Sequence, residues 1–318
     1  MSFLLNLLIV TLRKSAPLVL AAMGGLVGDK AGVLNIGMEG MMLGGAFFGM
    51  VGSYLTGSPW VGMLFGVGAG ILFAMIHAFI AITCGGNQTV SGIGLNLFAT
   101  GITTFGLRAI FGRSGSSDPV ANLPRTDWLA GVPKIGPTLA SLSPYVYLSF
   151  LVVFAVWFVV YKTPMGLRLS LTGENPRAAE TAGIDVWKTR YLAMAVCGAL
   201  CGIGGAYLSV GQMNVFQESM VSGRGFLAMA AIIMGKWTPL GSMGAALFFG
   251  FFDALQTQLQ LFQGIALPSE FIRMLPYLMC LVALAGFVGR SEQPASRGLP
   301  YMKPRKAKPK KRLTETNR

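Results

Sequence analysis

The chain has a single histidine, only 12 Asp plus Glu, and 12% charged residues of any kind over 318 positions. These shortages exclude most hydrolytic and proton-transfer chemistry. No His-Glu-x-x-His or Gly-x-Ser-x-Gly occurs, and His77 has no carboxylate near it in sequence, so an intramembrane enzyme finds no catalytic set. A lone histidine on an apolar helix is read as making one interhelical hydrogen bond. A Gly-rich loop ending in Gly-Lys-Ser/Thr is also missing. Gly235-Lys236 runs into Trp237, which leaves no phosphate cradle. Cysteines number four, Cys84, Cys197, Cys201 and Cys280, all in or beside apolar segments. They are read as small hydrophobes. Cys197 and Cys201 share a helix face without companion ligands, so no metal site is expected. No charged region precedes the first apolar run, so no cleavable signal peptide is expected.

What is plentiful is apolar surface. Hydrophobic residues make up 53% of the chain and the mean hydropathy is +0.61, which places its bulk in lipid as an all-α polytopic membrane protein. Spanning helices need about 20 apolar residues. On that criterion segments are expected near 33–56, 59–82, 89–111, 144–161, 190–210, 223–236, 240–261 and 271–289, the 223–236 segment being short. Residues 1–27 add a first element that Arg13, Lys14 and Pro17 interrupt. It is read as broken, with 3–12 at the outer surface and 16–27 inside the bundle; a single tilted helix is the competing view. The total is eight to nine transmembrane helices, short and broken ones included. Glycine, at 43 residues, is about twice its usual share of ~7%. Gly62, Gly66 and Gly70 recur every four residues and form one smooth helix face suited to close packing.

The net charge of +13 is concentrated, with ten of the 25 basic residues beyond position 289. That distribution speaks of orientation and anionic lipid before nucleic acid. Residues 1–290 are read as a single transmembrane domain and 291–318 as a basic, unstructured tail on the inner side. The 162–190 loop, with five Lys/Arg, falls on the same side. Four crossings separate loop and tail, so the two assignments agree. Counting back puts 112–143 outside, the 28–32 turn inside and the amino terminus outside. The outer loop, with Pro119, Pro124, Pro133, Pro137 and Pro144 at its end, is read as irregular. Together with the 211–218 turn it offers docking surfaces.

Within the inner loop lies a very short helix with signals at both ends. Asn175 caps it, Pro176 suits its first position, and Gly183 closes it. A two-turn helix buries too little to be stable alone, so something docks on it. Ala178, Ala179, Thr181 and Ala182 are small enough to enter a cleft, and Glu174, Arg177 and Glu180 set register through charge pairs.

Polar groups inside apolar segments mark the remaining candidates. Glu39 must face protein or water; it is read as pinning backbone amides around Asn35 and Gly37 or as touching a solute. Asn96 lies deep enough to line a pathway, as does Asn35. Asp253, Gln256, Gln260 and Gln263 are spaced three, four and three apart, which places them on one helix face that is wet or paired and could bond a polar solute; the alternative for Gln260 and Gln263 is a position past the hydrocarbon at the outer interface.

Gly32-Val33-Leu34-Asn35-Ile36-Gly37-Met38-Glu39-Gly40-Met41-Met42 resembles the opening signature of permeases in the simple-sugar and nucleoside branch of the ATP-binding-cassette importers. The stretch 223–241, Gly-Arg-Gly-Phe-Leu through Pro-Leu-Gly, is similar to that family's later glycine-bounded motif, and Gly173-Glu174-Asn175-Pro176-Arg177-Ala178-Ala179 to its coupling loop. The likeness covers about residues 15–290, and its form is closer to the nucleoside type than to the ribose type. It implies a ribose-permease-like fold in the bacterial plasma membrane and a non-catalytic subunit that binds no cofactor. It further implies three partners: a second related permease, an ATPase with two nucleotide sites that uses ATP and Mg, and an extracytoplasmic substrate-binding protein. The 174–180 residues become contacts to that ATPase. Rival expectations are a simple-sugar permease of the same family, and an ion-coupled carrier recruiting Glu39 and Asp253.

Overall fold

The computed structural model describes residues 3–121, 123, 140–261, 271–272, 274–286 and 292–302. Each segment expected from residue 33 onward holds a helix among the described residues. In chain order the apolar helices are α1 (Phe3–Lys30), α2 (Met38–Thr56), α3 (Pro59–Ala78, extended by a π turn Phe79–Thr83) and α4 (Gln88–Phe111). Next come α5 (Pro144–Lys162) and the inner-loop helices α6 (Pro164–Glu174) and α7 (Pro176–Thr181). They are followed by α8 (Val186–Ala206, extended by a π turn Tyr207–Met213), α9 (Arg224–Met234), α10 (Pro239–Leu261) and α11 (Leu275–Gly286). Among the described residues five helices are long and apolar enough to cross a membrane: α1, α4, α5, and α3 and α8 with their π turns. Residues 124–139, which hold most of the outer loop's prolines, and Gln263 lie outside the described residues.

The centre is built from α1, α2, α3, α8 and α10, with the closest packing between α2 and α3, α3 and α8, and α1 and α10. Small residues set those approaches. A Cβ at Gly62 would sit 2.6 Å from the Gly49 carbonyl, and one at Gly66 2.7 Å from Ala206, so the glycine face of α3 fits against α2 and α8 as its spacing implied.

α1 corrects the expectation of a broken first element. It runs unbroken for 28 residues with Pro17 inside it. Proline has no N–H to give the carbonyl four residues back, here that of Arg13. The structure supplies another donor: the Gln212 side-chain amide bonds the Arg13 carbonyl at 2.7 Å. The charges that argued for a break are also matched. Arg13 donates to the Ser141 carbonyl and Lys14 lies 3.7 Å from Asp253. Gln212, expected at the outer docking turn, is therefore part of what keeps α1 continuous.

A second departure concerns the tail, where residues 292–302 are folded against the end of the bundle that carries α6 and α7. Ser296 donates its amide and hydroxyl to the Gly173 carbonyl at 2.8 and 2.6 Å, and Arg297 pairs with buried Asp29 at 2.8 Å. A buried carboxylate demands a partner, and the tail provides it. The basic cluster from Lys303 onward lies outside the described residues.

Candidate functional site

The first zone lies at the start of α9. At 11 residues this helix is roughly 16 Å long, about half the ~30 Å hydrocarbon core. The segment leading into it is irregular, with Asn214, Ser219, Ser222 and Gly223 all in the left-handed region. Such backbone survives at membrane depth only when protein satisfies its polar groups. Glu39 does this. One carboxylate oxygen accepts the Gly223 amide and the other the Gly225 amide, each at 2.7 Å, while the Tyr277 hydroxyl of α11 donates to the Ser222 carbonyl. A negative charge at a helix N-terminus is further favoured by the helix dipole. A Cβ on Gly225 would come within 2.6 Å of the Glu39 Cα, so glycine there permits the contact. Glu39 thus pins amides as one expectation had it, but those of α9, not those around Asn35.

Asp253 stands beside this junction, 3.2 Å from Arg224 and 3.7 Å from Lys14. The three side chains retain 13, 17 and 25% exposure, so the cluster is partly wet. Lys14 and Arg224 balance Glu39 and Asp253 in charge. Neither cation was anticipated as a site residue. The signal that could have found them is charge parity: two acids in apolar segments require two bases at similar depth.

The remaining pathway candidates divide. Asn35 is buried; its Oδ1 accepts the Gly37 amide at 2.9 Å and its Nδ2 points at Cys197 Sγ, 3.2 Å, and Met41 Sδ, 3.3 Å. Asn96 accepts the Gly40 amide at 2.8 Å and donates to the Ile36 carbonyl at 3.1 Å, stapling α4 to the start of α2. Both amides are engaged within the protein, Asn35 by one backbone amide and two sulfur atoms and Asn96 by backbone on both sides. Gln256 is half-buried and Gln260 exposed on α10, and the buried glutamine of that helix is Gln258. His77 bonds Ser91 Oγ at 2.9 Å and the Leu34 carbonyl at 3.1 Å, the interhelical role expected of it.

The second zone is the loop face around α7. Asn175 Oδ1 accepts the Ala178 amide at 3.1 Å, Pro176 occupies the first turn and Gly183 has φ +81°, all as the residues implied. The preceding helix α6 was not foreseen. The faces of α7 also correct the expected set. Ala179 is fully buried against Val186 and Tyr301, and Glu180 accepts a hydrogen bond from the Tyr301 hydroxyl. A two-turn helix holds its shape only by burying one face. Glu174, although exposed, accepts the Ala295 amide at 3.3 Å. The outward surface of α7 is therefore Arg177, Thr181 and Ala182, with Ala178 half-buried. Burial and the Glu180 carboxylate push the Tyr301 phenol up to about 12, so it remains the donor at neutral pH.

A sequence profile described as "Branched-chain amino acid transport system / permease component" matches residues 7–284, nearly the whole of this helical architecture. The chain belongs to that permease family. The guanosine ABC transporter permease protein NupQ of Bacillus subtilis is 39% identical over 92% of this chain and 95% of its own. The nucleoside ABC transporter permease protein NupC of Lactococcus lactis is 35% identical over 91% and 94%. A putative glucose ABC transporter permease, TsgC13 of Haloferax volcanii, is 37% identical over 82% and 79%. The permease also shares its fold with a solved structure titled an inward-facing conformation of a putative metal-chelate type ABC transporter. That match has TM-score 0.50 and 17% identity over 88% of this chain and 85% of that one. The permease is a multi-pass membrane protein, and its relatives are permease subunits of ABC transporters.

Proposed function

We propose that this permease forms, with a second related permease, the inward path for nucleosides across the bacterial plasma membrane. An ATPase with two nucleotide sites drives it using ATP and Mg, and an extracytoplasmic binding protein feeds it. The observation that carries the reading is near-full-length similarity to guanosine and nucleoside permeases. On this reading the exposed face of α7, small and singly charged at Arg177, docks on the ATPase, and the basic inner loop and tail face the cytoplasm. Transport follows alternating access, with the helices attached to α7 rocking about the polar junction at Glu39 and Asp253. The permease itself hydrolyses nothing. Half-helix α9 begins at that junction, and Gln256 and Gln260 extend the polar line of α10 toward its far end, where amides suit ribose hydroxyls and base edges.

A sugar cargo is the second reading, favoured by the likeness to the putative glucose permease. The complex reconstituted with its ATPase, second permease and binding protein decides between them. Labelled guanosine should enter with ATP and be competed by other nucleosides but not by ribose or glucose. Competition by the sugars alone moves the cargo to the sugar branch, and uptake by the permease without its ATPase overturns the ATP-driven mechanism.

A further inference from the structure

Residues 292–302 touch five parts of the inner face. Besides holding Gly173 of α6, the segment reaches α7 through Tyr301 and Glu180, and α1 through Arg297 and Asp29. It meets α8 at Arg190, a fully buried side chain whose Nη1 and Nη2 donate to the Leu299 carbonyl and Ser296 hydroxyl at 3.4 and 3.3 Å. Arg190 Nε closes the group by donating to the Ala31 carbonyl at 3.1 Å. The fifth part is the turn after α9. Trp237 Nε1 donates to Asp29 Oδ2 at 2.8 Å, and the Arg297 guanidinium lies 5.4 Å over the Trp237 ring. Lys236 and Trp237 both hold left-handed backbone, with φ 54° and 51°, a conformation that persists only where its surroundings fix it.

We infer that residues 295–301 form a strap that passes displacement of α7 to the inner end of α9, and so to the Glu39 and Asp253 junction at its other end. The inference rests on α7 being the helix that meets the ATPase. Within its own element α7 is a six-residue helix with one buried side chain, too slight to push a bundle by itself. The strap gives it a second attachment. Its anchor is an ion pair with side chains only 11 and 4% exposed, and such pairs are strongly destabilised when one partner is lost, so the segment is firmly fixed. From Trp237 onward the path is α9, a rigid rod whose far amides are gripped by Glu39. Rigid helices joined by fixed side-chain contacts are what carries coupling between distant sites. Tyr301 and Arg297 are then positioning residues.

Tyr301→Phe deletes one hydroxyl, and Arg297→Gln removes the charge that meets Asp29. Both belong in the full complex in proteoliposomes, with nucleoside uptake and ATP hydrolysis measured together. Assembly with the ATPase and hydrolysis should stay within about twofold of the unaltered complex, while uptake per ATP falls about fivefold or more, with Arg297→Lys restoring part of it. An unchanged ratio in both variants overturns the strap. So does a parallel loss of assembly, uptake and hydrolysis, which marks a contribution to stability alone. If the unaltered permease binds no ATPase, or takes up solute without ATP, the assignment of α7 fails first and the strap with it.

Discussion

Lys14 and Arg224 both end on Asp253, so that carboxylate is their shared direct partner at the junction. Replacing it leaves two cations facing each other at membrane depth. Loss of one partner from a fully buried pair costs about 3–5 kcal/mol, and the residual exposure here reduces that to about 1–3 kcal/mol. Asp253→Asn should therefore lower the unfolding temperature in detergent and reduce uptake. Adding Lys14→Met should recover part of the stability, since one of the two unpaired charges goes. Losses in the double variant equal to the sum of the singles would mean that Lys14 and Asp253 are not coupled. Asp253 was visible in the sequence because an acid in an apolar run is expensive wherever it sits. What it pairs with was not. Lys14 is 239 positions away and looked like a reason to break a helix, whereas in the fold it is one side of a charge balance.

At the scale of elements, α1 turns on a single lone pair. Pro17 frees the Arg13 carbonyl, and Gln212 takes it up from the π turn that ends α8. Gln212→Leu should cost about 1 kcal/mol, the usual worth of such a bond, and more if the carbonyl stays dry. Pro17→Ala restores the helix's own N–H, so Gln212→Leu made in that background should be nearly neutral. Thermal melts of the four variants measure this, and an equal cost in both backgrounds would sever the link between the two residues. Helix starts and stops were the most legible part of the chain. Asn175 caps α7 by accepting an amide three residues on, as its place before Pro176 implied, and Asn87 and Asp185, not singled out in the sequence, cap α4 and α8 in the same way. Caps and glycine spacing act between neighbours in sequence, which is why they could be read there. The orientation of α7 could not: its six residues lack a pattern long enough to tell inner face from outer, and Tyr301, 121 positions beyond Glu180, decides it.

For the whole molecule, the strap joins the loop around α6 and α7 to the carboxyl-terminal segment, so both must lie on one side of the membrane. We propose, from the basic bias of the loop and tail, that this side is the cytoplasm. Trypsin should cut after the exposed Arg177 in inside-out vesicles and spare it in intact spheroplasts, detected by immunoblotting for fragments. Cleavage from the outer side would reverse the topology and remove the basis for an ATPase at α7. Residues 213–223 and α9 belong to this scale as well, because their left-handed backbone is held by Glu39 from α2 and Tyr277 from α11. No one element contains the reason for that shape.

Composition, apolar run length, glycine spacing and caps determined by themselves that this is a helical membrane protein, where its helices lie and that a short capped helix sits in the charged loop between residues 162 and 190. Each of those signals acts over one or two turns or sums over the chain. Only the tertiary structure decided which amides Glu39 holds, why α1 survives its proline, which face of α7 is free and that the tail's first residues are folded. A buried polar group must find a partner somewhere, and packing alone chooses which distant residue is near enough to serve.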